Sequence, residues 1–223
     1  MSEIIPAILA ASLEEVRANL EKVRGAARWA QLDVCDGFFV PARTWPMNPS
    51  DRTSFEQMVK GETGLPFWED FNFDIDLMVQ NPEKVIPQWV SAGASRIAIH
   101  IEAKHDYAAC RAALGDATEF GIALVNDTPL SRLEPLRDSF DYMQLMGIAV
   151  VGKQGQPFDE RVLARIQEAK KLFPDVTIQI DGAVNGETAP RLIEAGATRL
   201  VCGSYILRAE DPKAVIKELQ QLS

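Results

Sequence analysis

The chain has 223 residues, of which 47% are hydrophobic and 25% are charged, and its formal net charge is −9 at pH 7. This is the composition of an ordinary globular protein with one or two domains, and it excludes a disordered chain, a collagen-like repeat and a disulfide scaffold. The acidic balance, without any basic cluster, argues against nucleic acid or an anionic membrane as the main partner. No apolar run approaches the roughly 18–20 residues that a membrane span needs.

Cysteine and histidine are both scarce, with three and two residues respectively. The cysteines are odd in number and lack a CxxC spacing, so we expect reduced thiols and a cytoplasmic location. The N-terminus has no basic segment before its short apolar stretch, so a secretory signal is not expected. Two histidines exclude any site that needs three histidine ligands, and the chemistry must use carboxylates, backbone amides or those two rings.

Short apolar runs typical of strands alternate with amphipathic helical patterns from end to end. The clearest helix starts are the Ser12–Glu15 capping pattern after the first run and the Asp211–Pro212 pair before the last helix. Several runs are rich in Ile, Val and Leu, as expected for strands that are buried on both faces. The predicted strands begin at Ile4, Trp29, Phe73, Arg96, Phe120, Asp141, Val176 and Arg199.

Eight strand-then-helix units in 223 residues predict a (β/α)8 barrel, near the lower size limit of that fold, as one domain over residues 1–223. A doubly wound open sheet is the alternative. It usually carries a glycine-rich fingerprint after the first strand, whereas no glycine occurs here between Leu9 and Glu15. The long irregular stretch at roughly 38–72 is predicted to hold one helix, around Thr53–Gly61, in a loop on the catalytic face.

Acidic residues stand at the ends of three predicted strands, and function in a barrel is expected at the carboxyl ends of its strands. Asp33 and Asp36 lie at the end of the second strand, Asp74 and Asp76 in the third, and Asp181 ends the seventh. A carboxylate at the mouth of an apolar barrel is costly unless it is paired, bound to a metal or catalytic. Acids on three strands that converge therefore predict a site.

Small residues follow the seventh and eighth strands, where they expose backbone N–H groups near helix starts that favour an anion. This pair of loops is the common phosphate site of barrels, and a flexible basic loop after the sixth strand could close over the same anion. Each glycine taken singly is explained as well by a plain turn, but jointly they predict phosphate binding. The predicted binding residues are Gly152, Lys153, Gly155, Gly182, Ala183, Gly203 and Ser204.

Seven segments, in order along the chain, resemble the ribulose-phosphate 3-epimerase family. No single motif is decisive, but the ordered set covers all parts of the chain and is specific. The resemblance implies a barrel enzyme that inverts carbon 3 of a small phosphorylated ketose, and it also implies a homo-oligomer. The segments are 6–9, 32–41, 74–82, 99–103, 126–130, 180–185 and 201–204.

The resemblance gives the two acid–base roles to Asp33 and Asp181. Inversion next to a carbonyl requires a proton to leave one face and return on the other, which two carboxylates on opposite sides of a flat enediolate can do. The charge that develops on the enediolate oxygens is usually stabilised by a metal. Met78 and Met146 match methionines that line the family site, although core packing explains them equally well.

Both histidine metal ligands of the family are replaced in this chain, by Gln31 and Asp76. In one explanation the metal is retained, and a set of oxygen ligands then favours Mg²⁺ or Mn²⁺ over Zn²⁺. In the other the metal is lost, and the protein is a different phosphosugar enzyme, such as an aldolase or decarboxylase, or a silent binding protein. A structural Asp76–Gln31 hydrogen bond is a further alternative. The predicted metal ligands are Gln31, Asp33, Asp76 and Asp181.

Two further departures concern the substrate. Ala7 replaces a substrate-contacting serine, and the loop after the sixth strand lacks the Pro-Gly-Phe-Gly-Gly run of the family. Lys153 would partly replace the phosphate-binding amides that are lost with that run. His100 ends the fourth strand, where the family also has histidine, and either touches the edge of the site or is a structural residue.

Overall fold

The computed structural model describes residues 2–222, and eight parallel strands close into one barrel in chain order. The strands are β1 (Glu3–Ile8), β2 (Trp29–Cys35), β3 (Asn72–Met78), β4 (Ala94–His100), β5 (Glu119–Leu124), β6 (Tyr142–Met146), β7 (Thr177–Asp181) and β8 (Arg199–Cys202). The α-helices are α1 (Leu13–Val23), α2 (Arg52–Val59), α3 (Ile86–Ser91), α4 (Tyr107–Leu114), α5 (Arg161–Leu172), α6 (Thr188–Ala195), α7 (Ser204–Leu207) and α8 (Pro212–Gln221). Short 3₁₀ helices cover Pro49–Asp51, Pro82–Lys84 and Leu130–Leu136.

The closure of the sheet confirms the predicted (β/α)8 barrel. β1 pairs in parallel with β2 on one side and with β8 on the other, which an open doubly wound sheet does not allow. All eight predicted runs are strands, and the helix expected in the long irregular stretch is α2. None of the helices that the structure describes is both long enough and apolar enough to cross a membrane.

Capping side chains begin the helices where the sequence predicts them. The Ser12 hydroxyl accepts a hydrogen bond from the N–H of Glu15, whose own carboxylate accepts from the N–H of Ala11. At the last helix, the Asp211 carboxylate accepts from two backbone N–H groups of the first turn. These contacts satisfy donors that have no partner inside a helix, and they set the point at which α1 and α8 start.

The strands separate an apolar layer from a polar interior. Outward side chains such as Leu32, Ile75 and Leu77 pack with helix residues in the main hydrophobic core. Because side chains alternate across a strand, the residues between them point into the barrel, and many of these are polar and buried. The buried polar residues of the barrel strands are Gln31, Asp33, Asp74, Asp76, Arg96, His100, Gln144 and Gln179.

Ion pairs close the end of the barrel at which the strands begin. Arg96 contacts Glu3 at 2.6 Å and its guanidinium lies 3.4 Å from the ring centroid of Trp29, while Arg199 contacts Glu119 at 2.8 Å. These charged groups are thus paired with one another across the barrel. The opposite end, at the carboxyl ends of the strands, is open to a ligand.

Candidate active site

A cavity of about 420 Å³ opens at the carboxyl ends of the strands. Asp33 and Asp181 line it, as do Met78 and Met146, and its wall is built from the loops after β6, β7 and β8. The volume is within the range of small-molecule sites. All of the residues predicted to bind phosphate line this one cavity, namely Gly152, Lys153, Gly155, Gly182, Ala183, Gly203 and Ser204.

The loop after β7 has a backbone that is preformed around the cavity. Gly182 has a φ of +101°, and a Cβ there would lie 2.7 Å from the side chain of Ile148, so only glycine fits. Ala183 also has a positive φ of 54°, which is uncommon for a residue with a side chain. Thr188 and Asn185 hold the turn, since the Thr188 hydroxyl donates to the carbonyl of Ala183 at 2.7 Å.

Three carboxylates meet at and just beneath the base of this cavity, where Asp33 and Asp181 line it and Asp76 is fully buried. Asp33 on β2, Asp76 on β3 and Asp181 on β7 each offer an oxygen, and the three oxygens lie within 4.8 Å of one another. Asp33 and Asp76 are register partners on neighbouring strands, whereas Asp181 reaches the cluster from across the barrel. The acids predicted at strand ends therefore converge, because parallel strands place their carboxyl ends at one rim.

Two other acids from the same motifs lie outside the cluster. Asp36 accepts hydrogen bonds from the backbone N–H groups of Phe38 and Gln80, which makes it a loop-holding residue. Asp74 is one layer deeper in the barrel, where it accepts a hydrogen bond from the Tyr142 hydroxyl at 2.9 Å. Neither acid lines the cavity.

Burial changes the acidity of the two predicted acid–base residues. Desolvation, and after it the nearby charge of Asp76, raises the pKa of Asp33 from 3.8 to about 7. Desolvation and the charge of Asp33 hold the pKa of Asp181 well above its ordinary value. Carboxyl groups with such raised pKa values are suited to proton transfer near neutral pH.

Gln31 joins this acid pair. Its side-chain nitrogen donates to Asp33 at 2.9 Å and to Asp181 at 3.2 Å, and its side-chain oxygen accepts from Gln179. Gln31 thus presents N–H groups, not a ligand oxygen, to the two acids. The alternative Asp76–Gln31 pair is not formed, because Asp76 accepts from Gln144 at 3.1 Å instead.

His100 lies below the carboxylate cluster and does not line the cavity. Its Nε2 is 3.2 Å from Oδ1 of Asp76, and its Nδ1 is 3.8 Å from Glu102. Burial alone would lower the pKa of His100, but the charge and hydrogen bonding of Asp76 and Glu102 outweigh burial and raise it to about 10. The imidazolium therefore supplies one positive charge beside the acids.

The donor set of this cluster fits a divalent cation. Three carboxylates converge, and one oxygen of each lies within 4.8 Å of the other two. Oxygen ligands of this kind are those that Mg²⁺ and Mn²⁺ prefer.

The sequence predictions missed residues on both sides of the site. Arg208, Gln154 and Tyr205 line the cavity. Arg208 and Lys153 are the cations of its wall, and within residues 2–222 neither forms an ion pair. The signal for Arg208 was its place one turn beyond the predicted Gly203–Ser204 loop. Gln144 and Gln179, which lie inside the barrel, were also missed, and the signal for them was an amide inside an otherwise apolar run.

Comparisons with known proteins agree with this geometry. Residues 3–207 match a family model described as the ribulose-phosphate 3 epimerase family. Ribulose-phosphate 3-epimerase from Bacillus subtilis is 33% identical over 227 residues, which cover 99% of each chain. The enzyme of the same name from Aquifex aeolicus is 31% identical over 231 residues, with 100% of this chain and 97% of that one covered.

Solved structures show the same fold at much lower identity. The 3-hexulose-6-phosphate synthase from Salmonella typhimurium has a TM-score of 0.71 at 14% identity, with 100% of this chain and 98% of that one covered. KGPDC from Streptococcus mutans has a TM-score of 0.74 at 13% identity, with 99% and 96% covered. These neighbours support the barrel alone. The family model and the end-to-end match to both epimerases decide the assignment, and this chain belongs to the ribulose-phosphate 3-epimerase family.

Proposed function

We propose that the protein is an isomerase that inverts carbon 3 of a phosphorylated ketose by two-base proton transfer. The observation that carries this proposal is a pair of carboxyls with raised pKa values, the buried Asp33 and the half-buried Asp181, bridged by one amide at the base of a sugar-sized cavity. One carboxylate takes the proton as the C3–H bond breaks. The other, in its acid form, returns a proton to the opposite face of the enediolate, and the two groups exchange protonation states.

Asp33, Asp76 and Asp181 are the residues that would hold a divalent cation, with Mg²⁺ or Mn²⁺ favoured over Zn²⁺. When bound, the cation would stabilise negative charge on the enediolate oxygens as a Lewis acid. Gln31 is left out of the proposed ligand set because its amide donates to two of these carboxylates.

The phosphate of the substrate is proposed to bind at the other side of the cavity. Backbone N–H groups of the Gly182–Ala183 and Gly203–Ser204 loops and the side chains of Lys153 and Arg208 line that side. The cavity thus has acids at its base and, on its wall, two cations that form no ion pair with residues 2–222. A ketose phosphate has the matching arrangement, with an anionic end and a reactive polyol end.

The test is an isotope experiment with a panel of ketopentose and ketohexose phosphates. Each is incubated with the protein and Mn²⁺ or Mg²⁺ in deuterated water, and we expect deuterium at carbon 3 together with formation of the C3 epimer. Asp33→Asn and Asp181→Asn should each abolish inversion, whereas Asp116→Asn, at an exposed position before β5, should not. Full inversion by either site variant would refute the two-base assignment.

Two alternative functions can be distinguished with the same purified protein and substrates. A Schiff-base aldolase would need a lysine in the site, and Lys153, which lies on a loop after β6, lines the cavity. Borohydride trapping with substrate would reveal it as a covalent adduct. A silent binding protein would show a rise in Tm with a sugar phosphate and no exchange at carbon 3.

We also propose a cytoplasmic location and a homo-oligomeric state. The three cysteines are free and buried, as in a protein of a reducing compartment. Light scattering on the purified protein tests the oligomer, and a single-chain mass would overturn it.

A further inference from the structure

Three glutamine side chains fill the barrel directly below the carboxylate cluster. Gln31, Gln144 and Gln179, on β2, β6 and β7, are all 0% exposed. Gln179 is at the centre of the three. Its nitrogen lies 2.8 Å from the amide oxygen of Gln144, 2.9 Å from Oδ2 of Asp74 and 3.2 Å from the amide oxygen of Gln31, and its two N–H groups are shared among these three acceptors.

These contacts determine which way the other two amides face. Because the oxygens of Gln31 and Gln144 accept from Gln179, their nitrogens point upward to the carboxylates. Gln31 donates to Asp33 and Asp181, and Gln144 donates to Asp76 at 3.1 Å. A single NH₂ group thus controls hydrogen-bond donation to all three acids.

Asp74 holds Gln179 in this orientation. Its two oxygens accept from Gln179 and from the Tyr142 hydroxyl. If the Gln179 amide were reversed, its oxygen would face three acceptors. The Gln179 oxygen has no hydrogen-bond partner of its own among the described residues, so donation by the nitrogen alone sets the orientation.

We propose that Gln179 is a positioning residue that orients Gln31 and Gln144 so that their N–H groups, and not their oxygens, face the carboxylate cluster. Gln31 then stands between the acid–base pair as a hydrogen-bond donor and does not ligate a metal. The catalytic consequence rests on the proposed epimerase function. The orientation of the amides does not depend on that function, and it is measured separately.

The first test is metal affinity, which requires no turnover. Mn²⁺ is titrated by calorimetry into the wild type, Gln31→Ala and Asp76→Ala. We expect Gln31→Ala to bind Mn²⁺ within about threefold of the wild type, and Asp76→Ala to lose at least tenfold. A loss in Gln31→Ala as large as that in Asp76→Ala would make Gln31 a ligand and overturn the proposal. If even the wild type does not bind Mn²⁺, the metal part of the proposed function fails, and the amide measurement below decides this proposal.

The second test reverses the polarity of the central residue. Gln179→Glu keeps the shape but offers only acceptors, Gln179→Met removes donor and acceptor at similar volume, and Gln57→Glu is the matched exposed control on α2. The side-chain NH₂ signals of Gln31 and Gln144 are followed by NMR and assigned with Gln31→Ala and Gln144→Ala. We expect both signals to shift in Gln179→Glu and Gln179→Met, and to stay unchanged in Gln57→Glu.

If both amide signals keep their wild-type positions in Gln179→Met, the proposal is overturned, even if Gln179→Glu fails to fold. Where the wild type is active, we expect Gln179→Glu to lower kcat at least tenfold with KM within threefold, because substrate-binding loops are untouched. Unchanged kcat would remove the positioning role. If the amide signals shift in the Gln179 variants but the wild type has no epimerase activity, the proposed amide orientation stands and only the proposed function is refuted.

Discussion

Asp33→Asn should make the metal-free protein more stable, and more so as the pH rises. The folded state raises the pKa of the Asp33 carboxyl from 3.8 to about 7, chiefly through burial. Above pH 3.8 the unfolded chain carries an ionised carboxylate, whereas the folded chain must either keep a proton or bury the charge. The folded state is therefore penalised increasingly between pH 4 and pH 7, and by a constant amount above that range.

The size of this penalty follows from the two pKa values. A difference of about three units corresponds to roughly 4 kcal/mol at pH 8, and the same relation leaves about 1.5 kcal/mol at pH 5. Asparagine retains an oxygen that can accept the 2.9 Å hydrogen bond from Gln31, so the variant removes the charge without removing that contact. We expect the stability gained by Asp33→Asn to grow by roughly 2–3 kcal/mol between pH 5 and pH 8.

The assay is urea unfolding of the wild type and the variant in chelator at four pH values from 5 to 8. Asp116→Asn, on the exposed loop before β5, serves as the control and should change the free energy of unfolding by less than about 0.5 kcal/mol at every pH. A stability difference between Asp33→Asn and the wild type that does not vary with pH would show that folding does not raise the pKa of Asp33. Added Mn²⁺ should reverse the gain by favouring the ionised carboxylate of the wild type.

Three further outcomes are expected. Gly121→Ala should lower the free energy of unfolding in urea by about 1–3 kcal/mol, because the added Cβ would overlap the buried ring of Tyr142. Adding Tyr142→Leu to the Gly121→Ala chain should recover part of this loss. Asp76→Ala should lower the Mn²⁺ content of the purified protein measured by mass spectrometry, and an unchanged content would place the metal elsewhere. Asp159→Asn should lower Tm at pH 7 but hardly at pH 2. Hydrogen bonds from Arg161 hold the pKa of Asp159 at about 2, so the stabilisation by the ionised carboxylate is lost as the pH falls from 4 towards 2. An equal drop in Tm at both pH values would contradict this.

Helix starts and strand runs were predictable because their causes are local. Ser12 and Asp211 cap their helices through backbone N–H groups two or three residues away. The apolar runs are strands because their outward side chains need the helices to cover them. Once eight such units follow one another, closure into a barrel is the remaining way to pair every edge.

Much of the candidate site was also predictable, for a topological reason. Asp33 and Asp181 are 148 positions apart in the chain, yet both sit at strand ends, and a parallel barrel brings every strand end to one rim. The same reasoning placed the small residues of the last three loops around the cavity. It did not exclude Asp36, whose side chain turns back to hold its own loop.

By itself, then, the sequence determined the fold, the rim that carries the candidate site and the acids that stand there, because capping, side-chain alternation and strand order act over short distances along the chain. The tertiary structure alone decided which atom each side chain presents. The donor face of Gln31, the central position of Gln179 and the acidity of Asp33 depend on neighbours from four different strands and on the exclusion of water. Amide orientation and carboxyl pKa are properties of a packed environment, and no local pattern encodes them.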